Sequence, residues 1–95
     1  MREKEIEKKL VVGIKRLGGR AYKFVSPGNA GVPDRIVILP DQKPIFVELK
    51  TESGKITELQ KSQCKKLTCL GQRVEVLYGE KEVDWFLEYC KDMVL

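Results

Sequence analysis

The chain contains no histidine, which excludes imidazole as general base, general acid or metal ligand. Its three cysteines, Cys64, Cys69 and Cys90, are odd in number and form no Cys-x-x-Cys pair. They read as reduced, partly buried small hydrophobes in a reducing compartment, not as a zinc site or a disulfide framework. No apolar run approaches the roughly 20 residues needed to cross a bilayer. The charged start Met1-Arg2-Glu3-Lys4-Glu5 has no apolar signal core behind it. A cytoplasmic location is expected, with neither a membrane nor a small-molecule cofactor among the partners. Repeats and low-complexity segments are also missing.

What is present describes one globular domain spanning residues 1–95, with 42% hydrophobic and 34% charged residues. A chain of this length buries about 60–65% of its unfolded surface. The net charge of +4 is uneven. Residues 79–95 carry five acids against two lysines, net −3, so residues 1–78 carry 4 − (−3) = +7. Such a basic body suits a polyanion on one face, or is simply a solvated surface.

Periodicity gives the elements. A first helix is expected from about Arg2 to Leu17, with Ile6, Leu10, Ile14 and Leu17 on one stripe and Gly18-Gly19 as its stop. Ala21 to Val25 reads as a strand, followed by the loop Ser26-Pro27-Gly28-Asn29-Ala30-Gly31. Val32 is held extended before proline and launches a strand from Asp34 to Leu39, apolar on both faces as in a central strand. After a turn at Pro40-Asp41-Gln42, a third strand runs from Ile45 to Lys50. Thr57 opens a second helix, with Gln60 completing a capping-box pattern, Leu59, Cys64, Leu67 and Leu70 marking its apolar side and Gly71 closing it. Gln72 to Tyr78 is the fourth strand, and Glu82 or Asp84 begins a last helix reaching Met93. The order αβββαβα predicts an α/β fold with helices flanking a small mixed sheet.

The hairpin in the middle carries charge where a core wants none. Ile45, Val47 and Leu49 point to one side of their strand; Phe46, Glu48 and Lys50 point to the other. Folding about Pro40-Asp41-Gln42, with partner numbers summing to about 82, sets Asp34 opposite Glu48 with Cβ atoms about 5 Å apart. Carboxylates that close repel unless a proton or a cation lies between them. Without histidine or paired cysteines, an oxygen-seeking ion such as Mg²⁺ or Mn²⁺ fits best. The alternative is a solvated edge strand beside a turn aspartate.

In the last helix Val83, Phe86, Leu87, Cys90 and Val94 form a stripe that docks it on the sheet. Trp85, Tyr89 and Met93 form a second. Two apolar sides on a surface helix predict a symmetric homodimer, the alternative being rings wrapped over the sheet edge of one chain.

The ordered set Glu5-Ile6, Tyr22-Lys23-Phe24, Pro27-Gly28, Gly31-Val32-Pro33-Asp34-Arg35, Phe46-Val47-Glu48-Leu49-Lys50 and Leu59-Gln60 resembles the PD-(D/E)xK nuclease superfamily. Within it, the chain is similar to small stand-alone members of the VRR-NUC family, which are like Holliday-junction resolvases in fold. The likeness covers nearly the whole chain. It implies a restriction-endonuclease-like fold and a metal-dependent DNA endonuclease of phage or bacterial type, nicking or selective for branched DNA, in replication, repair or recombination. It further implies that Asp34 and Glu48 hold Mg²⁺ or Mn²⁺, with the Leu49 carbonyl as another ligand. Lys50 is implied to orient or deprotonate the attacking water, and Glu5 to reach the site from the first helix and help to hold the metal. Gln60 either caps its helix or also touches water or phosphate. Lys23, Ser26, Arg35 and Lys55 stand as phosphate contacts. The runner-up is a non-catalytic module that binds nucleic acid through the same basic face.

Overall fold

A computed structural model describes all 95 residues. The elements are α1 (Glu3–Arg16), β1 (Arg20–Lys23), β2 (Arg35–Ile38), β3 (Ile45–Lys50), α2 (Glu58–Cys69), β4 (Arg73–Tyr78) and α3 (Gly79–Val94), in the expected order αβββαβα. Helices α1 and α2 both end in Schellman motifs. Gly18 and Gly71 take φ of 86° and 83°, while Gly19 N–H donates to the Ile14 carbonyl and Gln72 N–H to that of Leu67.

The four strands lie in the order β1-β2-β3-β4, with the first two pairings antiparallel and β3 parallel to β4. The β2–β3 register pairs Arg35 with Val47, Ile36 with Phe46 and Val37 with Ile45, sums of 82 as the alternation requires. The parallel pair needs a crossover, and α2 supplies it.

One face of the sheet is the core. Ala21, Val37 and Ile45 form one row across it, with Val47, Leu49 and Leu77 further along. Ile6, Leu10 and Ile14 of α1 and Val83, Phe86 and Cys90 of α3 close over them, all fully buried. A Cβ on Gly13 would sit 2.5 Å from Leu87 Cδ1, so this glycine lets α1 and α3 meet. The closeness offsets the roughly 1 kcal/mol that glycine costs inside a helix.

The other face is open. Only α2 covers it, and α2 packs on β4. Here the expectation of a strand buried on both sides fails: β2 is central in strand order, yet Ile38 is 36% exposed. One crossover helix cannot span four strands. For the same reason α2 has no fully buried residue, and Leu59 and Leu70, expected on its apolar side, are exposed. Its inward residues are Gln60, Gln63, Cys64 and Leu67, each half-buried. Cys69 is exposed rather than partly buried.

The last helix starts earlier than expected, at Gly79 directly off β4. Gly79 has φ 80° and lies against the Glu52 side chain, so a single residue makes the strand-to-helix turn. Glu82 sits in the first turn and accepts the Tyr78 N–H at 3.0 Å. No helix is long and apolar enough to cross a membrane.

Candidate active site

Asp34 immediately precedes β2, where the ladder to β3 runs out after Arg35–Val47. The next β3 amide on that side, Leu49 N–H, would lack a partner. The Asp34 carboxylate accepts it through Oδ2 at 2.9 Å, which fixes the side chain on the site's face.

Glu48 stands on the same face and is 1% exposed. Its Oε2 accepts from Gln60 Nε2 at 3.0 Å and lies 3.4 Å from Lys50 Nζ. Its Oε1 is buried with no hydrogen-bond partner. Burial first, then the Asp34 charge, push the carboxyl up to about 7 from the ordinary 4.5, against the downward pull of Lys50; Glu3 adds a smaller upward push. A buried, unpartnered carboxylate oxygen beside a second carboxylate is a place where a cation would relieve both desolvation and repulsion. The donors are hard oxygens, which suit Mg²⁺ or Mn²⁺.

Gln60 completes the cap that its sequence position suggests and also reaches the site, through Glu48 rather than through a water or phosphate. Thr57 Oγ1 accepts from Gln60 N–H at 3.1 Å, and Gln60 Oε1 accepts from Thr57 N–H at 2.9 Å, a complete capping box. With Oε1 so engaged, the amide can present only Nε2, its donor end, to Glu48. Thr57 is thus a positioning residue for the site, where its sequence context marks it only as a cap. Gly31, at φ 88°, brings the preceding loop against the same turn: a Cβ there would meet the Leu59 carbonyl carbon at 2.7 Å and Gln60 N at 3.0 Å. Thr57→Pro, which suits the residue's φ of −78° and removes the backbone N–H that holds Gln60 Oε1, should keep the fold but free the Gln60 amide to rotate, lowering the nuclease activity expected from the sequence several-fold. Equal activity in titrations of the two proteins would show that the cap has no part in the site.

The VRR-NUC domain model matches residues 6–81. The chain belongs to the VRR-NUC family. It is 52% identical over 77 residues to "Putative nuclease p44" of Acyrthosiphon pisum secondary endosymbiont phage 1, covering 81% of this chain and 83% of that one. A solved VRR_NUC domain superposes with TM-score 0.85 at 32% identity, over 92% of this chain and 95% of its own. A second VRR_NUC domain protein does so at 0.78 over 97% and 89%; at 19% identity it speaks for the fold alone.

VRR-NUC nucleases are typically metal-dependent, and the Asp34–Glu48 pair fits that requirement. No group of three or more Asp, Glu, His or Cys side chains converges closely enough to form a complete cage. The first-helix acids differ in where they stand. Glu5 is exposed. Glu7 accepts from Arg35 Nε at 2.9 Å and is engaged there. Glu3 is the first-helix acid whose charge acts on Glu48. At about 100° per residue, Glu3 falls within the Ile6-Leu10-Ile14 stripe, whereas Glu5 turns about 140° away from its centre. Neither Glu3 nor Glu5 is among the hydrogen-bond or ion-pair partners of Glu48, which are Gln60 and Lys50.

The basic residues divide as well. Lys23 and Arg35 are register partners in line with Ala21, on the α1 side of the sheet, away from Glu48. Arg35 is tied to Glu7 and to the Ala21 carbonyl, the latter at 3.0 Å. Ser26 Oγ accepts from Asn29 Nδ2 at 2.9 Å within its loop, and Lys55 is exposed between β3 and α2.

Proposed function

We propose that this VRR-NUC protein is a metal-dependent DNA endonuclease that hydrolyses phosphodiester bonds, nicking or selective for branched DNA, in the host or bacterial cytoplasm. The observation that carries the reading is Glu48, buried with one oxygen unpartnered and flanked by Asp34 and Lys50. Asp34 and Glu48 would hold Mg²⁺ or Mn²⁺, with the Leu49 carbonyl as a further ligand and an acid of α1, Glu5 or Glu3, whose charge acts on Glu48, reaching in from the first helix. The ion supplies Lewis acidity toward the phosphate and its attacking water. Lys50, held beside Glu48, donates hydrogen bonds that orient the water and the phosphate oxygen. Gln60 keeps Glu48 in place and leaves Oε1 free for the ion. A module that only bound nucleic acid would gain nothing from a buried carboxylate beside a second one facing a polyanion.

Incubating the protein with nicked, branched and linear DNA, in Mg²⁺, Mn²⁺ or EDTA, tests the reading. Cleavage should require the ion and drop at least 100-fold in Asp34→Asn or Lys50→Ala; undiminished cleavage in both variants would sink the assignment. Among the first-helix acids, the one whose change to glutamine reduces cleavage more, Glu3 or Glu5, is the one that serves the site.

The homodimer belongs to the same proposal. Trp85 is 54% exposed and stacks on Tyr89 at 5.9 Å. Tyr89 is itself held within the chain under Arg73, 4.4 Å from its ring, and both Tyr89 and Met93 pack partly buried against the core. The second stripe of α3 is thus partly used at home, and Trp85 is the residue left to meet a partner. Light scattering at micromolar concentration should give twice the chain mass, and Trp85→Glu should halve it.

A further inference from the structure

The face that carries Asp34, Glu48 and Lys50 does not end at the catalytic row. Two residues along the strands, about 6.7 Å away, Tyr22, Ile36 and Phe46 stand side by side. A further row brings Arg20 beside Ile38. Phe24, whose N–H bonds the Asp34 carbonyl, joins the two nearer rows, its ring 5.6 Å from that of Phe46. Tyr22 is 59% exposed on this face. Past it lies a hollow of about 370 Å³ lined by Gly18, Gly19, Arg20, Tyr22, Ile38 and Pro40, among others.

We propose that this uncovered strip, from Phe24 through Tyr22 to the hollow at Arg20, binds unpaired nucleotides of the strand being cut, with bases stacked on Tyr22. The proposal rests on the nuclease reading and names its substrate class: DNA with single-stranded nucleotides adjoining the scissile phosphate. Three features choose this occupant. The strip runs straight into the catalytic row, so a permanent cover, such as a second copy, would block the site it adjoins. No acid stands on this face of the strands other than Asp34 and Glu48, and Arg20 and Lys50 bracket it, which suits a polyanion. Its exposed apolar surface is led by an aromatic ring, and only unpaired bases offer their π faces to one; duplex DNA offers phosphates and hides its bases. Open sheets with exposed aromatics bind single strands by this logic. A strand leaving the catalytic row reaches the hollow within a few nucleotides.

The test measures anisotropy of a fluorescent oligo(dT) and of a blunt duplex of equal length, in Mg²⁺-free buffer, with wild type, Tyr22→Ala and Tyr22→Phe. Cleavage of a duplex bearing an unpaired tail and of a nicked, fully paired duplex is followed in Mg²⁺. Tyr22→Ala should weaken oligo(dT) binding about ten-fold or more and slow cutting beside the tail, while leaving the blunt duplex unchanged. Tyr22→Phe, which keeps the ring and guards against a folding artefact, should match wild type. Equal losses on both DNAs, or none, would overturn the proposal. So would light scattering in which Tyr22→Glu alone converts a dimer to a monomer, since a second copy would then occupy the strip. Oligo(dT) binding that depends on Tyr22 in a protein that cuts nothing would uphold the strip and remove the nuclease reading instead.

Discussion

Replacing Glu48 with glutamine is expected to raise the melting temperature of the metal-free protein at pH 8 while abolishing cleavage. The Glu48 carboxyl is pushed up to about 7 by burial and by the Asp34 charge. Between the ordinary carboxyl value of about 4.5 and that of the folded state, the native protein holds a proton that the unfolded chain has lost. Its stabilising effect is complete below pH 4.5 and is lost as the pH rises through 7. At 1.36 kcal/mol per unit, the loss is about 3 kcal/mol. Glutamine cannot ionise, so its stability should stay flat over that range. A few kcal/mol in a domain of this size moves the midpoint by on the order of 10 °C. Part of the gain is offset because the new amide leaves a buried N–H₂ where Oε1 had no partner. The discriminating quantity is therefore the slope: in EDTA, wild type should melt lower at pH 8 than at pH 5 and Glu48→Gln should not. Parallel slopes would move the titrating group elsewhere. Cleavage should fall at least 100-fold, because an amide oxygen is a far weaker partner for a divalent ion than a carboxylate.

The sequence is most legible where local chemistry and chain geometry decide alone. Alternation in Ile45–Lys50 and a short turn leave little freedom in the hairpin register, so the Asp34–Glu48 juxtaposition can be worked out in advance. The Thr57–Gln60 box is likewise a contact between neighbours. What periodicity cannot say is whether a helix covers a given face. Ile36-Val37-Ile38-Leu39 looks like a strand buried on both sides, yet α2 lies over β4 and leaves Ile38 open. Leu59 and Leu70 fit a helical stripe that no sheet comes to meet. Charged residues are worse still, because polar alternation does not reveal partners. Lys23 and Arg35 flank the motif in sequence but stand on the sheet's far side, where Arg35 is held by Glu7. The start of α3 is hidden for a different reason: Gly79 makes the turn alone, where composition suggests a short loop.

Millimolar Mn²⁺ should raise the melting temperature of wild type, more at pH 8 than at pH 5.5, and leave Asp34→Asn nearly unmoved. An ion that binds only the folded state stabilises it by RT ln(1 + [L]/Kd), about 2.7 kcal/mol at a hundredfold excess over Kd. For this chain length that is on the order of 10 °C. The pH dependence follows from competition. At pH 5.5 Glu48 holds the proton that an ion must displace, whereas at pH 8 the carboxylate is free and its repulsion with Asp34 is what the ion relieves. Asp34→Asn removes one ligand and that repulsion together, so it should be more stable than wild type without metal at pH 8 and gain little when metal is added. The introduced side-chain amide can keep the Leu49 N–H bond through its oxygen, which protects the end of the hairpin. Thermal melts in EDTA and in Mn²⁺, at both pH values, separate the terms. Equal Mn²⁺ shifts in the two proteins would place the ion away from the Asp34–Glu48 pair; an equal wild-type shift at both pH values would mean that Glu48 does not exchange its proton for the ion.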